Sequence, residues 1–200
     1  DIIQSNGTSI TRGTTLVQTK NALFYEYLLD LVQCSLQKFS TDFKLSEFND
    51  GFKRGTKYSR RDVFRILNWP QNPNAQNVGG YIISQDKSQC PIFVNYHKDD
   101  SISATTKYED HFESKNSLVY MSKSRRTSQS PDVSAMANQI QNKMRIPIFV
   151  KKSNDEGLSF YYLGDGTAVS DRFVDTTMGD DPPVNVVQMV FTLDKPISND

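Results

Sequence analysis

The sequence predicts an α+β fold in which a mostly antiparallel, curved or closed β-barrel carries flanking helices. Three observations predict it. Helix-period runs occupy the first third of the chain and recur once near residue 131. Strand-like runs fill most of the remainder. Parallel βαβ repeats are absent, so a doubly wound sheet is not expected. The 200 residues suit one domain, or one domain with a small appendage, and a chain of this length buries well over half of the surface its unfolded form exposes.

The elements follow in order. Residues 1–18 are rich in Ser, Thr and Gly, lack periodicity and read as a flexible lead-in. Asn21 can cap a helix over about 22–39, where Tyr25, Leu29, Val32, Leu36 and Phe39 share one face. Ser59 and Asp62 match a capping box and start a short helix, about 60–68, with Val63, Phe64 and Leu67 inward. Pro70 ends it, because the residue before proline is disfavoured in helix. Residues 71–78 are polar and read as a loop. Strands are expected at 79–84, 90–96 and 117–121. Ser130 and Pro131 then open a helix over about 131–142, with Val133, Met136, Ala137 and Ile140 on its apolar face. Strands resume at 145–151, 158–163 and 184–193. The expected organisation is therefore a lead-in (1–18), a helical part packed on the barrel (19–75), and the barrel itself (76–200) with its inserted helix (131–142).

The balanced charge, 23 bases against 23 acids, conceals blocks. Lys53, Arg54, Lys57, Arg60, Arg61 and Arg65 face one acid, Asp62. Lys115, Lys123, Arg125 and Arg126 form a second basic stretch, and the acids concentrate after residue 155. Local basic blocks in a neutral chain fit contact with an anion on one face, and any nucleic acid should meet the first two-thirds of the chain. The ordinary alternative for each block is a solvated surface.

Several function classes lack their signatures. Neither GxxxxGK[ST], GxGxxG nor GxSxG occurs. Cys34 and Cys90 are too few for a disulfide framework, and no zinc spacing exists. No apolar run reaches the length of a membrane span, so no membrane partner is expected. No catalytic residues and no metal ligands are assigned. With no initiating Met and no signal-peptide pattern, the chain reads as an excised piece of a larger cytoplasmic protein.

The informative stretch is 96–126, YHKDDSISATTKYEDHFESKNSLVYMSKSRR. It holds the parts of a base pocket. Tyr108 and Tyr120 can sandwich a flat ring, worth about 1–3 kcal/mol per stacked base. Asp110 can accept from an exocyclic amine. Lys107, Lys123, Arg125 and Arg126 can hold phosphates. Each has a structural alternative: Tyr120 as a core residue of an apolar strand, Tyr108 as a turn aromatic, Asp110 as a cap or a lysine partner.

Tyr108-Glu109-Asp110, followed twelve residues after Tyr108 by Tyr120, resembles the pocket signature of SRA (SET- and RING-associated) domains. Those domains flip 5-methylcytosine from DNA and stack it between two tyrosines at that separation. Over about residues 45–195, the runs KYSRRDVFRILNW, CPIFVNYHKDDSISATTKYEDHF, SKSRRTS and IPIFVKKSNDEGLSFYYLG resemble the C-terminal, SRA-like domain of SauUSI-type, ATP-dependent type IV restriction endonucleases, a bacterial helicase-associated family.

The resemblance implies an SRA/PUA-like barrel that recognises 5-methylcytosine or 5-hydroxymethylcytosine in double-stranded DNA. It implies a pocket of Tyr108 and Tyr120 with Thr106 and Ser122. Either Asp110 or His111 reads the base edge, since His111 stands where those domains carry their acid. Thr106 and Lys107 replace the glycines before the tyrosine, so the wall near the methyl group differs. The implied phosphate set is Lys98, Lys107, Lys123, Arg125, Arg126, Arg60 and Arg61. The fragment itself would be no enzyme and need no cofactor, with ATP and Mg²⁺ confined to upstream helicase and nuclease domains of the same bacterial, cytoplasmic protein. The alternatives are a PUA-like domain for RNA or another modified base, and a non-binding scaffold of a helicase.

Overall fold

The structure is a computed structural model of the 200-residue chain. It describes residues 3–5, 10–18, 21–42, 48–71, 73–74, 78–96, 110–179 and 182–197. The chain forms two compact units, residues 1–46 and 47–200.

In the first unit, strands β1 (Ile3–Ser5) and β2 (Ile10–Arg12) pair antiparallel, and helix α1 (Thr14–Gln18) precedes the long helix α2 (Ala22–Asp42). The expected flexible lead-in is thus partly built. Three-residue strands are too short for periodicity to reveal. Asn21 caps α2 as expected, its Oδ1 accepting from Phe24 N at 3.2 Å. The Tyr25 hydroxyl donates to Leu16 O at 2.5 Å and ties the two helices together.

The second unit begins earlier than residue 76. Within the stretch expected as a helical part, Lys57–Ser59 pair into the sheet, Phe48–Asn49 and Phe52–Lys53 form a hairpin of their own, and Arg60–Ile66 are helical. Hairpin strands β3 (Phe48–Asn49) and β4 (Phe52–Lys53) lead to β5 (Lys57–Ser59), which pairs with β10 (Ser159–Ala168). Helix α3 (Arg60–Ile66) is capped by Ser59, whose Oγ accepts from Asp62 N at 3.2 Å, and buries Val63 and Phe64.

Strands β6 (Ile92–Asn95), β7 (His111–Ser114), β8 (Ser117–Met121), β9 (Pro147–Lys151), β11 (Val174–Met178) and β12 (Val184–Leu193) complete the sheet. Its order is β6-β9-β10-β12-β8-β7, with β5 on β10 and β11 on β12. All pairings are antiparallel except β6 with β9. The expected class, α+β with a curved, mostly antiparallel sheet and flanking helices, is what the chain adopts.

The 79–84 run is no strand. Gly79 and Gly80 form a turn, and only Tyr81 bridges to Ile92. The inserted helix breaks at Asn138 into α4 (Pro131–Ala137) and α5 (Gln139–Asn142). Asn138 Nδ2 donates back to Ser134 O at 2.8 Å, a local bond that competes with continuing the helix.

Alternation along the strands feeds two cores. Ile92 and Val94 on β6, Ile148 on β9, and Leu118 and Tyr120 on β8 join Val133 and Met136 of α4 in one cluster. Phe93, Phe149, Phe160 and Tyr162 face the other way, against Phe52, Val63 and Phe64. Strand β10 turns the corner between β9 and β12. Its register shifts between Tyr162 and Gly164, and Gly164 has φ +135°. A Cβ there would lie 2.2 Å from Asp194 Oδ1, so only glycine fits this bulge.

Candidate nucleic-acid interface

Of the expected base pocket, Thr106 and Tyr108 lie outside the described residues, as do Lys98 and Lys107 among the expected phosphate contacts. Two of the described members, Tyr120 and Ser122, are closed to a ligand. Tyr120 is 3% exposed and sits in the cluster inside the curl, edge-on to Tyr81 at 6.2 Å and to Phe191 at 6.5 Å between ring centroids. This corrects its assignment as a stacking platform: β8 turns Tyr120 inward beside Leu118, and the ring is core. Ser122 is likewise fully buried. Its Oγ accepts from Val187 N at 2.8 Å and donates to Lys123 O at 3.0 Å, clasping β12 instead of lining a pocket. Asp110 Oδ1 accepts from Met121 N at 2.9 Å, the capping role. His111 is exposed on β7, opposite Val119.

One cation from each basic block, Arg60 and Lys123, comes to the turn at Gly79–Tyr81. Arg60 Nη2 donates to Gly79 O at 3.2 Å. Its guanidinium lies 4.7 Å from the Phe160 ring centroid and 5.1 Å from that of Phe93. Burial lowers its pKa, and its buried Nε has no hydrogen-bond partner among the described residues. The Lys123 ammonium sits 4.8 Å over the Tyr81 ring, and burial lowers its pKa too. Gly79 takes φ +60° below the Lys123 stem.

Arg126 is committed elsewhere. Its Nε donates to both Asp132 oxygens, at 3.0 and 2.8 Å, and the Tyr81 hydroxyl donates to Oδ2 at 2.7 Å. Burial raises the Asp132 carboxyl, but these bonds outweigh it and leave the pKa below the ordinary carboxylate value. Burial and the same carboxylate push the Tyr81 phenol far up. Arg61 and Arg125 are exposed, Arg125 with φ +61°.

A second feature was not foreseen. A cavity of about 690 Å³ opens beside β6, β7, β9 and β10. Tyr96, Phe112 and Tyr161 supply rings, Val150 and Leu163 an apolar floor, and Arg54 and Lys152 cations. The Tyr96 and Phe112 rings stack with centroids 6.1 Å apart and 27° between planes, across the two edges of the sheet. Lys57 Nζ stands 4.6 Å over Tyr161. Arg54 Nη2 donates to Lys195 O at 2.9 Å and Pro196 O at 2.6 Å, fixing the segment that forms one wall. A signal existed in the sequence: on β10, Phe160 and Tyr162 share one face, which leaves Tyr161 as the aromatic turned away from them. Among the described residues no group of three potential metal ligands gathers, and no helix is long and apolar enough to cross a membrane.

A family model described as "Domain of unknown function (DUF3427)" matches residues 52–200. The chain belongs to that family. The DUF3427 match begins at Phe52, close to the division between the two units, and takes in α3, the cationic turn and the cavity. No curated protein matches. Among solved structures the DUF3427 chain is similar to the DNA modification-dependent restriction endonuclease AspBHI, at 11% identity and a TM-score of 0.52, over 76% of this chain and 80% of that one. It is also similar to Arabidopsis thaliana SUVH6 in complex with SAM, at 15% identity and a TM-score of 0.47, over 77% of this chain and 28% of that one. The likeness to AspBHI is one of fold.

Proposed function

We propose that this DUF3427 chain is a DNA-recognition module that reads a modified cytosine, 5-methyl or 5-hydroxymethyl, and targets a restriction endonuclease of the SauUSI type. The observation that carries the reading is the gathering of Arg60 and Lys123, from two separate basic blocks, around the Gly79–Tyr81 turn. It sits on a fold shared with an endonuclease whose name declares dependence on DNA modification.

The 5-methyl group changes no Watson–Crick bond. Extrusion of the base, at a cost of a few kcal/mol, lets one closed site test ring, amine and methyl together. One buried methyl contributes about 1 kcal/mol, which corresponds to roughly five- to tenfold discrimination. The cations supply sequence-independent affinity. Nuclease and helicase, with their ATP and Mg²⁺, belong to upstream domains, and the module binds with neither.

The test is a gel shift with duplexes identical except for one C, 5-methylcytosine, 5-hydroxymethylcytosine or N6-methyladenine, beside an RNA duplex. A preference for one modified cytosine is expected. Equal affinity for all, or preference for RNA, would refute the reading. Arg61→Ala and Arg125→Ala should each lower the slope of log affinity against log salt by about 1 while leaving the preference intact.

A further inference from the structure

The cavity beside β10 combines features that select its occupant. Its size of about 690 Å³ lies within the roughly 300–1,000 Å³ of small-ligand clefts. Tyr96 and Tyr161 are 40% and 36% exposed, unlike the other aromatics of the sheet, and so present ring surface to solvent. Three rings around a hole would ordinarily suit a cation. Here the charge is of the opposite kind. Arg54 and Lys152 line the cavity and Lys57 covers Tyr161, whereas none of the described lining residues is acidic. The nearby Glu156 carboxylate is engaged by Lys57 at 3.9 Å and by Lys152 N at 3.2 Å. Ring faces, an apolar floor and a cationic rim together complement a flat heterocycle that carries a phosphate.

We infer that this cleft is a nucleotide-binding site, in which Tyr161 and the Tyr96–Phe112 pair hold a base and Arg54 and Lys152 face its phosphate. The proposal rests on the DNA reading above for the source of the nucleotide, a base drawn from the duplex. It moves the base receptacle away from Tyr120, which the core occupies. Val150 and Leu163 are positioned to meet an apolar ring substituent.

The experiment uses the 200-residue chain and two probes. The first is 5-methyl-2′-deoxycytidine 5′-monophosphate, followed by equilibrium dialysis with inorganic phosphate as control. The second is a duplex with one 5-methylcytosine against its unmodified twin, followed by fluorescence anisotropy. Tyr161→Ala and Tyr96→Ala should weaken mononucleotide or modified-duplex binding about tenfold or more, and Tyr161→Phe, which keeps the ring, should bind as the parent does. Circular dichroism and urea midpoints confirm that each variant is folded, and Tyr96→Ala provides an independent arm should Tyr161→Ala fail.

Mononucleotide binding that both alanine variants weaken supports the cleft even when the two duplexes bind equally, in which case the modified-DNA reading alone falls. Duplex discrimination that survives intact in both alanine variants overturns the cleft while leaving the reading standing. Equal loss in Tyr161→Phe and Tyr161→Ala also overturns it, since stacking then does not account for the binding.

Discussion

Tyr120 and Tyr161 belong to the same continuous sheet, yet one is 3% and the other 36% exposed. Around Tyr120 several polar groups are turned to internal use. Tyr81 and Arg126 are bonded to Asp132, Ser122 to β12, and Asp110 to β8. Around Tyr161 the rings stand at the surface with cations beside them and a cavity between. The difference separates two uses of one composition. Aromatic and basic residues close together can be a cemented part of the core or an open receptor, and burial decides which.

The largest expected effect tests the cemented side. Tyr120→Ala should destabilise the fold by about 3–5 kcal/mol, the cost of emptying a buried aromatic site, read from urea unfolding. A stability change below about 1 kcal/mol would return Tyr120 to the list of ligand-facing residues.

Next comes the fit beneath it. An added Cβ on Gly80 would lie 2.1 Å from the Tyr120 hydroxyl and 3.3 Å from Cζ. Gly80→Ala should therefore cost about 1–3 kcal/mol through overpacking. Tyr120→Phe removes the clashing oxygen, so the double variant should be more stable than the sum of the single effects predicts.

A smaller effect is expected at the Asp132 network. Asp132→Asn should cost about 1–3 kcal/mol near neutral pH, as loss of a charge-assisted hydrogen-bond partner does. The folded pKa of Asp132 lies below its unfolded value, near 3.9. Its contribution is therefore present above that value and fades as pH falls through the folded pKa. The gap between parent and variant urea midpoints should narrow below about pH 4 and stay constant from pH 5 to 7.

The smallest effect is on the open side. Tyr161→Ala should change stability by no more than about 0.5 kcal/mol, as exposed substitutions do. A larger loss would make the cleft a structural feature and erase the contrast with Tyr120.

Much of the fold was legible because it is written in local signals. The Ser59–Asp62 cap, the buried Val63 and Phe64, and the apolar run of β8 all appear where the sequence places them. What escaped was decided at long range or carried no signal. Every residue of β11 except Met178 is exposed, so no apolar alternation marks it. Helix α4 stops at Asn138 although periodicity continues to Ile140, which is 76% exposed. At the candidate site the sequence named Arg60 and Lys123 from two separate charge blocks, and the fold places both around one turn. It misassigned Tyr120 because spacing along a strand fixes which face a ring shares, and the packing of α4 decides whether that face is covered.

The bulge at Gly164 gives the curl two unequal closures. On one side β10 alone joins β9 to β12 through backbone hydrogen bonds, passing the bend at a glycine. On the other side the margins of β6 and β7 meet through the rings of Tyr96 and Phe112. Such a shell has a hinge and a latch. Thermal breathing should part it at the latch first, so that amides of β6 and β7 exchange with deuterium sooner than those of β10, and among the described residues the Tyr96–Phe112 ring pair is what loosens beside the mouth at Tyr161.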